Sequence, residues 1–172
     1  MTDRVQHLAR LALLLALATV IHAAEALLPS TILWFRFGFA NIIGLATLDL
    51  FGFKDALFLT LARIVLGSLL SGLFGSPAFI LSLAGGTCAI LSMGLVHRVG
   101  NGVFSEIGIS VAGAVCHNAA QLFAAYLILI KNEAVLLLLP VMILTAIATG
   151  VINGLAARFF VQHYRRVTEA AA

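Results

Sequence analysis

The sequence predicts an all-α, polytopic membrane protein: one integral membrane domain over residues 1–172 with about six transmembrane helices. Hydrophobic residues make up 62% of the chain and charged residues only 10%, whereas a soluble domain of this length carries roughly a quarter charged residues. The few charges gather at a handful of points, and the stretches between them are almost wholly apolar. A hydrocarbon layer of about 30 Å takes roughly 20 apolar residues per helical crossing. The 172 residues therefore accommodate about six crossings and no separate soluble domain. A cleaved leader would explain one apolar run at the N-terminus, not runs along the whole chain.

The spans follow from turn and charge signals. The first covers about Leu8 to Leu28 and stops at Pro29; Ser30 to Arg36 form a loop. The second, about Gly38 to Phe51, is short for a crossing and ends at Gly52-Phe53-Lys54-Asp55. The third covers about Ala56 to Phe74 and is closed by Gly75-Ser76-Pro77, and the fourth runs from Ala78 to Val96 before His97-Arg98. The fifth extends from Phe104 to Ile130, with its turn at Lys131-Asn132-Glu133. The sixth runs from Ala134 to Phe160, with Pro140 tolerated near its start because a neighbouring helix can satisfy the freed carbonyl. Barrel strands would alternate apolar and polar residues; Leu11 to Leu17 and Ala134 to Leu139 do not alternate.

An even number of crossings puts both termini on one side. That side carries Arg4, Arg10, Lys54, Arg98, Arg158, Arg165 and Arg166, against Arg36 and Lys131 on the other. The positive-inside rule therefore places both termini in the cytoplasm. The short basic tail, Arg158 to Arg166, reads as a juxtamembrane contact with anionic lipid rather than a nucleic-acid surface, which needs a clustered basic face.

Polar residues inside apolar helices are the functional candidates, because a charge near the bilayer centre costs a few kcal/mol on insertion scales and needs a partner or a role. His22 and Glu25 share one face near the outer end of the first helix, with Arg36 in the outer loop and Asn41 at the outer start of the second. His117, Asn118 and Gln121 lie midway along the fifth. Together these groups can line one outward-opening cavity; equally, amides and histidines in membrane helices often only bond a neighbouring helix. Arg63 is expected to be structural, snorkelling to the interface or pairing with Asp49, Asp55 or Glu106.

Small residues four apart, Ala12 with Ala16, Ala112 with Cys116 and Gly150 with Gly154, let helix backbones approach closely. Most such faces pack inside a bundle, and one can dock a partner subunit. Cys88 and Cys116 lie in apolar runs without metal-type spacing. No Walker loop, G-x-G-x-x-G or H-E-x-x-H occurs, and Asp stands only at positions 3, 49 and 55. Hence no phosphate loop, cofactor, metal site or nucleophile–base pair is expected, and any energy input must come from a partner.

Six motifs now carry a resemblance. Arg36-Phe-Gly-Phe-Ala-Asn41, Phe51-Gly-Phe-Lys54, Arg63 with Leu66-Gly-Ser68, Ser82-Leu-Ala-Gly-Gly86, Phe104-Ser105 with Gly108-Ile-Ser110, and Gly113-Ala114 with His117-Asn118 and Gln121 occur in that order. From about Glu25 to Tyr126 the chain resembles the Gx transporter family, often labelled component I of heptaprenyl diphosphate synthase. That family is similar to the S components of energy-coupling factor transporters: six-helix proteins of a prokaryotic cytoplasmic membrane that bind a vitamin or other small solute from outside. The resemblance implies an S-component-like bundle working with a T-like membrane subunit and separate ATPases. It implies a solute site at Glu25, Arg36, Asn41, His117, Asn118 and Gln121, and a docking face at Ala12-Leu-Leu-Leu-Ala16.

The expected function is therefore a non-enzymatic, membrane-embedded binding subunit of a small-solute uptake transporter. Two alternatives stand beside it. One is a non-catalytic accessory of isoprenoid or quinone metabolism that binds a prenyl lipid or a prenyltransferase. The other is a structural subunit of a larger membrane complex, such as a redox one. The synthase label itself fits poorly with an absence of paired aspartates for magnesium and diphosphate.

Overall fold

The computed structural model describes residues 2–27, 38–100 and 103–170. Every regular element among them is helical. Six α-helices follow one another: α1 (Thr2–Leu27), α2 (Ala40–Phe51), α3 (Phe53–Leu70), α4 (Pro77–Gly100), α5 (Glu106–Ala124) and α6 (Leu139–Ala170). Between α5 and α6 lie a π-helical turn, Ala125–Ile130, and a 3₁₀ segment, Glu133–Leu138.

Four stretches are long and apolar enough to cross a membrane: Arg4–Glu25, Pro77–Gly100, Glu106–Ile130 and Glu133–Glu169. The other two helices fall short for different reasons. The 12 residues of α2 rise only about 18 Å at 1.5 Å per residue. Charge is the obstacle in α3, which carries Lys54, Asp55 and Arg63 within 18 residues.

Local chemistry sets the boundaries. Gly52, at φ 92°, is the single residue between α2 and α3, a left-handed conformation that side chains resist. Ser105 caps α5, its hydroxyl accepting from the Gly108 amide, and Glu106 sits in the first turn, where a carboxylate complements the helix dipole. Pro77 opens α4, a position that needs no amide donor. At the end of the π turn, Lys131 turns left-handed at φ 50° and donates its amide to the Tyr126 carbonyl.

The structure corrects one boundary. The α-helix expected to run from Ala134 through Pro140 does not do so. Residues 133–138 are 3₁₀, and α6 starts at Leu139 with Pro140 in its first turn. An interior proline would clash with the carbonyl four residues back and lose a hydrogen bond, so the α-helix begins at the proline rather than enclosing it.

Packing is tightest between α5 and α6, where two glycines let the backbones touch. A Cβ on Gly150 would lie 2.7 Å from Val111 Cα, and one on Gly154 would lie 2.6 Å from Ile107 Cα. The α2–α5 interior is closed by Leu45, Leu48, Ile90, Met93 and Ile109. A second cluster seats α1 on α2 and α3 through Leu14, Ala18, Ile43 and Leu59. Ala12 and Ala16 lie on the opposite, exposed face of α1 with Leu13 and Leu17. Thus Gly150/Gly154 is an internal small-residue face and Ala12/Ala16 an outward one.

Candidate functional site: a buried polar cavity

Five helices converge on one small cavity. Its lining comprises His22 and Glu25 from α1, Asn41 from α2, Arg63 and Ile64 from α3, Ser82 and Gly86 from α4, and His117 and Gln121 from α5, with Gly38 just ahead of α2. The free space is about 20 Å³, roughly enough for one water molecule. A site this polar inside otherwise apolar helices is costly to bury unless its groups are paired.

Arg63 is at the centre. It is 3% exposed, donates from Nη2 to Asn41 Oδ1 at 2.5 Å, and feels the Glu25 carboxylate electrostatically. Glu25 Oε1 in turn accepts the Phe39 amide at 2.8 Å, and Asn153 of α6 donates to the Gly38 carbonyl at 3.2 Å. These two bonds fasten the entry to α2 against α1 and α6, over the cavity. Gly38 has φ +71°, which turns the chain into α2.

Glycines seat the polar side chains. A Cβ on Gly85 would lie 2.7 Å from Gln121 Cγ and 2.9 Å from His117 Cε1, and one on Gly67 would lie 2.6 Å from His22 Cδ2. Only bare backbone leaves room for the imidazoles and the amide at these crossings.

The sequence-derived candidates separate on this geometry. Glu25, Asn41, His117 and Gln121 share the cavity. Asn118 is not part of the lining; it is buried and donates from Nδ2 to the Met142 carbonyl at 2.9 Å, tying α5 to α6. Arg36 lies outside the described residues. Arg63, expected to pair with Asp49, Asp55 or Glu106, instead faces the other end of the bundle. Asp49 is taken by Arg165, with Nη2 to Oδ2 at 2.7 Å, and lies 3.9 Å from His97 Nε2. Asp55 meets His7 Nε2 at 3.1 Å. With α3 starting at Phe53, Arg63 lies about 15 Å along it, beyond easy snorkelling distance of that end.

The comparisons add one finding. Residues 14–160 match the model of the family described as heptaprenyl diphosphate synthase component I. The chain belongs to that family. Searches of curated proteins and of solved structures found no match for it.

In this component I family member the sequence reading passed over Arg63 and Ser82 as cavity residues. A signal for Arg63 existed: it is a lone arginine inside an apolar stretch, eight residues from the nearest charge in sequence, Asp55. Ser82 stood in the Ser82-Leu-Ala-Gly-Gly86 motif with no role assigned; its hydroxyl donates to the Ala78 carbonyl of its own helix. Among the described residues no group of three His, Cys, Asp or Glu side chains is placed to hold a metal ion.

Proposed function

We propose that the chain is the membrane-embedded binding subunit of a small-solute uptake transporter, similar to an energy-coupling factor S component, and that it performs no chemistry of its own. The observation that carries this reading is the cavity: polar side chains from α1 to α5 meet at one small space, while Asp49 and Asp55 contact Arg165 and His7 at the opposite end. In this reading all six helices cross a prokaryotic cytoplasmic membrane with both termini inside. The short α2 and the charged α3 are then shielded by their neighbours. The solute enters from outside when the Glu25–Phe39 and Asn153–Gly38 bonds release. A T-like membrane subunit and its ATPases drive inward release, docking on the exposed Ala12/Ala16 face of α1. The expected site is Glu25, Arg36, Asn41, His117 and Gln121, joined by Arg63, with Asn118 supporting it from the α5–α6 seam.

The family description favours a second reading, a non-catalytic partner of a prenyl diphosphate synthase. Against it, Asp49 and Asp55 are engaged with Arg165 and His7, away from the cavity.

Mass spectrometry of the gently purified full chain separates the two. A stoichiometric water-soluble solute, with or without T-like and ATPase chains, supports transport. A polyprenyl lipid or a prenyltransferase in its place overturns it.

A further inference from the structure

A second, larger space lies at the end of the bundle where Asp49 meets Arg165 and Asp55 meets His7. It is a cleft of about 450 Å³ between α4 and the α2–α3 link, within the range of about 300–1,000 Å³ that ligand-holding clefts occupy. One wall is a single stripe of α4. Leu91, Gly94, Leu95 and Arg98 line it, and residues three, four and seven apart share one helix face. The stripe runs about 10 Å along the helix and ends on a cation in the last turn. Leu48, Gly52 and Phe53 form the facing wall. Glycines give the cleft its depth. A Cβ on Gly94 would lie 2.6 Å from Phe53 Cε2, so the ring rests on bare α4 backbone, and a Cβ on Gly52 would meet nothing within 4 Å.

The open side of the cleft is apolar. Leu91 and Leu95 are 49% and 63% exposed, and α4 is one of the stretches long and apolar enough to cross a membrane. A ligand arriving from that side comes out of hydrocarbon, not water. Atoms lining an empty void forfeit their dispersion contacts, and an alkyl chain lying in the cleft restores them. The rim distinguishes head groups. Among the described residues no carboxylate lines the cleft, and none pairs with the exposed Arg98. Asp49, 3.9 Å from the rim residue His97, is already held by Arg165 at 2.7 Å. The charge of Arg98 is therefore available to an anion from outside the chain.

We propose that this cleft seats one anionic phospholipid of the leaflet at that end, with an acyl chain along the α4 stripe and the phosphate head group at Arg98. The proposal requires only that α4 crosses a bilayer. It stands or falls separately from solute binding at the Arg63 cavity.

Native mass spectrometry of the full chain in detergent tests it. The chain is titrated with equal amounts of phosphatidylglycerol and phosphatidylethanolamine carrying the same acyl chains, and the lipids retained are counted. The expected result is one phosphatidylglycerol held in preference. Arg98→Gln lowers that preference about fivefold. Leu95→Trp, which puts a larger side chain on the exposed wall, lowers retention of both lipids. Arg166→Gln removes an exposed cation outside the cleft and leaves the preference unchanged. Equal retention of the two lipids, or retention of neither, overturns the proposal. Equal losses in Arg98→Gln and Arg166→Gln assign the preference to diffuse charge and overturn it as well. So does unchanged retention in Leu95→Trp, or a polyprenyl phosphate held in place of the phospholipid.

Discussion

Replacing Gly67 with alanine tests whether bare backbone on α3 is what holds His22 at the cavity. The three nearest atoms to a Cβ at position 67 all belong to His22: Cδ2 at 2.6 Å, Cγ at 3.2 Å and Cβ at 3.3 Å. Carbon atoms pack best at about 3.5–4.0 Å, so the imidazole must withdraw by roughly 1 Å. His22 is buried at 6% exposure, and its neighbours in the lining, Glu25 and Arg63, are held by their own bonds. Overpacking of this kind costs typically 1–3 kcal/mol. His22→Ala removes the two closest ring atoms and leaves only the Cβ contact. The double variant Gly67→Ala/His22→Ala should therefore be more stable than the sum of the single losses predicts, by about 1–3 kcal/mol. Reversible unfolding in mixed detergent micelles, followed by circular dichroism, measures all four corners of the cycle. Additivity to within about 0.5 kcal/mol would show that the two residues do not press on one another, and the seating argument would fall.

Three further outcomes follow from the contacts described. Asn118→Ala, which loses the bond to the Met142 carbonyl, should lower stability by about 1 kcal/mol and leave affinity for a bound solute unchanged; a lost solute would return Asn118 to the cavity. Gly154→Ala forces a Cβ to within 2.6 Å of Ile107 Cα and 3.2 Å of the Glu106 carbonyl oxygen. Because backbone cannot rotate away, it should destabilise by about 1–3 kcal/mol, whereas Gly108→Ala, whose nearest contact is 3.4 Å, should not. Arg165→Ala breaks the pair with Asp49, but Arg165 is 56% exposed, so unfolding should shift by less than about 1 kcal/mol.

The helical architecture was legible because apolar runs of this length admit little else, and Gly52, Gly75 and Pro77 mark their boundaries in plain view. The start of α6 was misjudged because a proline near a helix start is compatible with two arrangements, and only the packing of the 3₁₀ segment, with Val135 against Leu122 and Met142, selects one. Of the site, Glu25, Asn41, His117 and Gln121 could be picked out as polar groups in apolar helices at matching depth. His117 and Asn118 are adjacent in sequence yet point to different neighbours, because successive residues on a helix do not share a face. Depth alone could not divide them. Arg63 was placed at the wrong end for a related reason. Sequence offers it three acidic partners nearby, and the tertiary pairing of those acids with Arg165 and His7 removes two of them.

The one-residue link at Gly52 bears on how such a chain enters a membrane during synthesis. An arginine at the centre of a nascent helix raises its insertion free energy by about 2.5–3.5 kcal/mol, which disfavours α3 as a solitary segment. Asn41, its hydrogen-bond partner, lies 22 residues earlier on the helix joined to α3 through Gly52 alone. Glu25 precedes both. If all six helices cross, as proposed above, α2 and α3 would leave the translocation machinery as one hairpin whose arginine already has its amide, beside a first helix that already carries the opposing charge. In that topology the residues that line the cavity in the folded chain would also be those that make its charged third helix insertable.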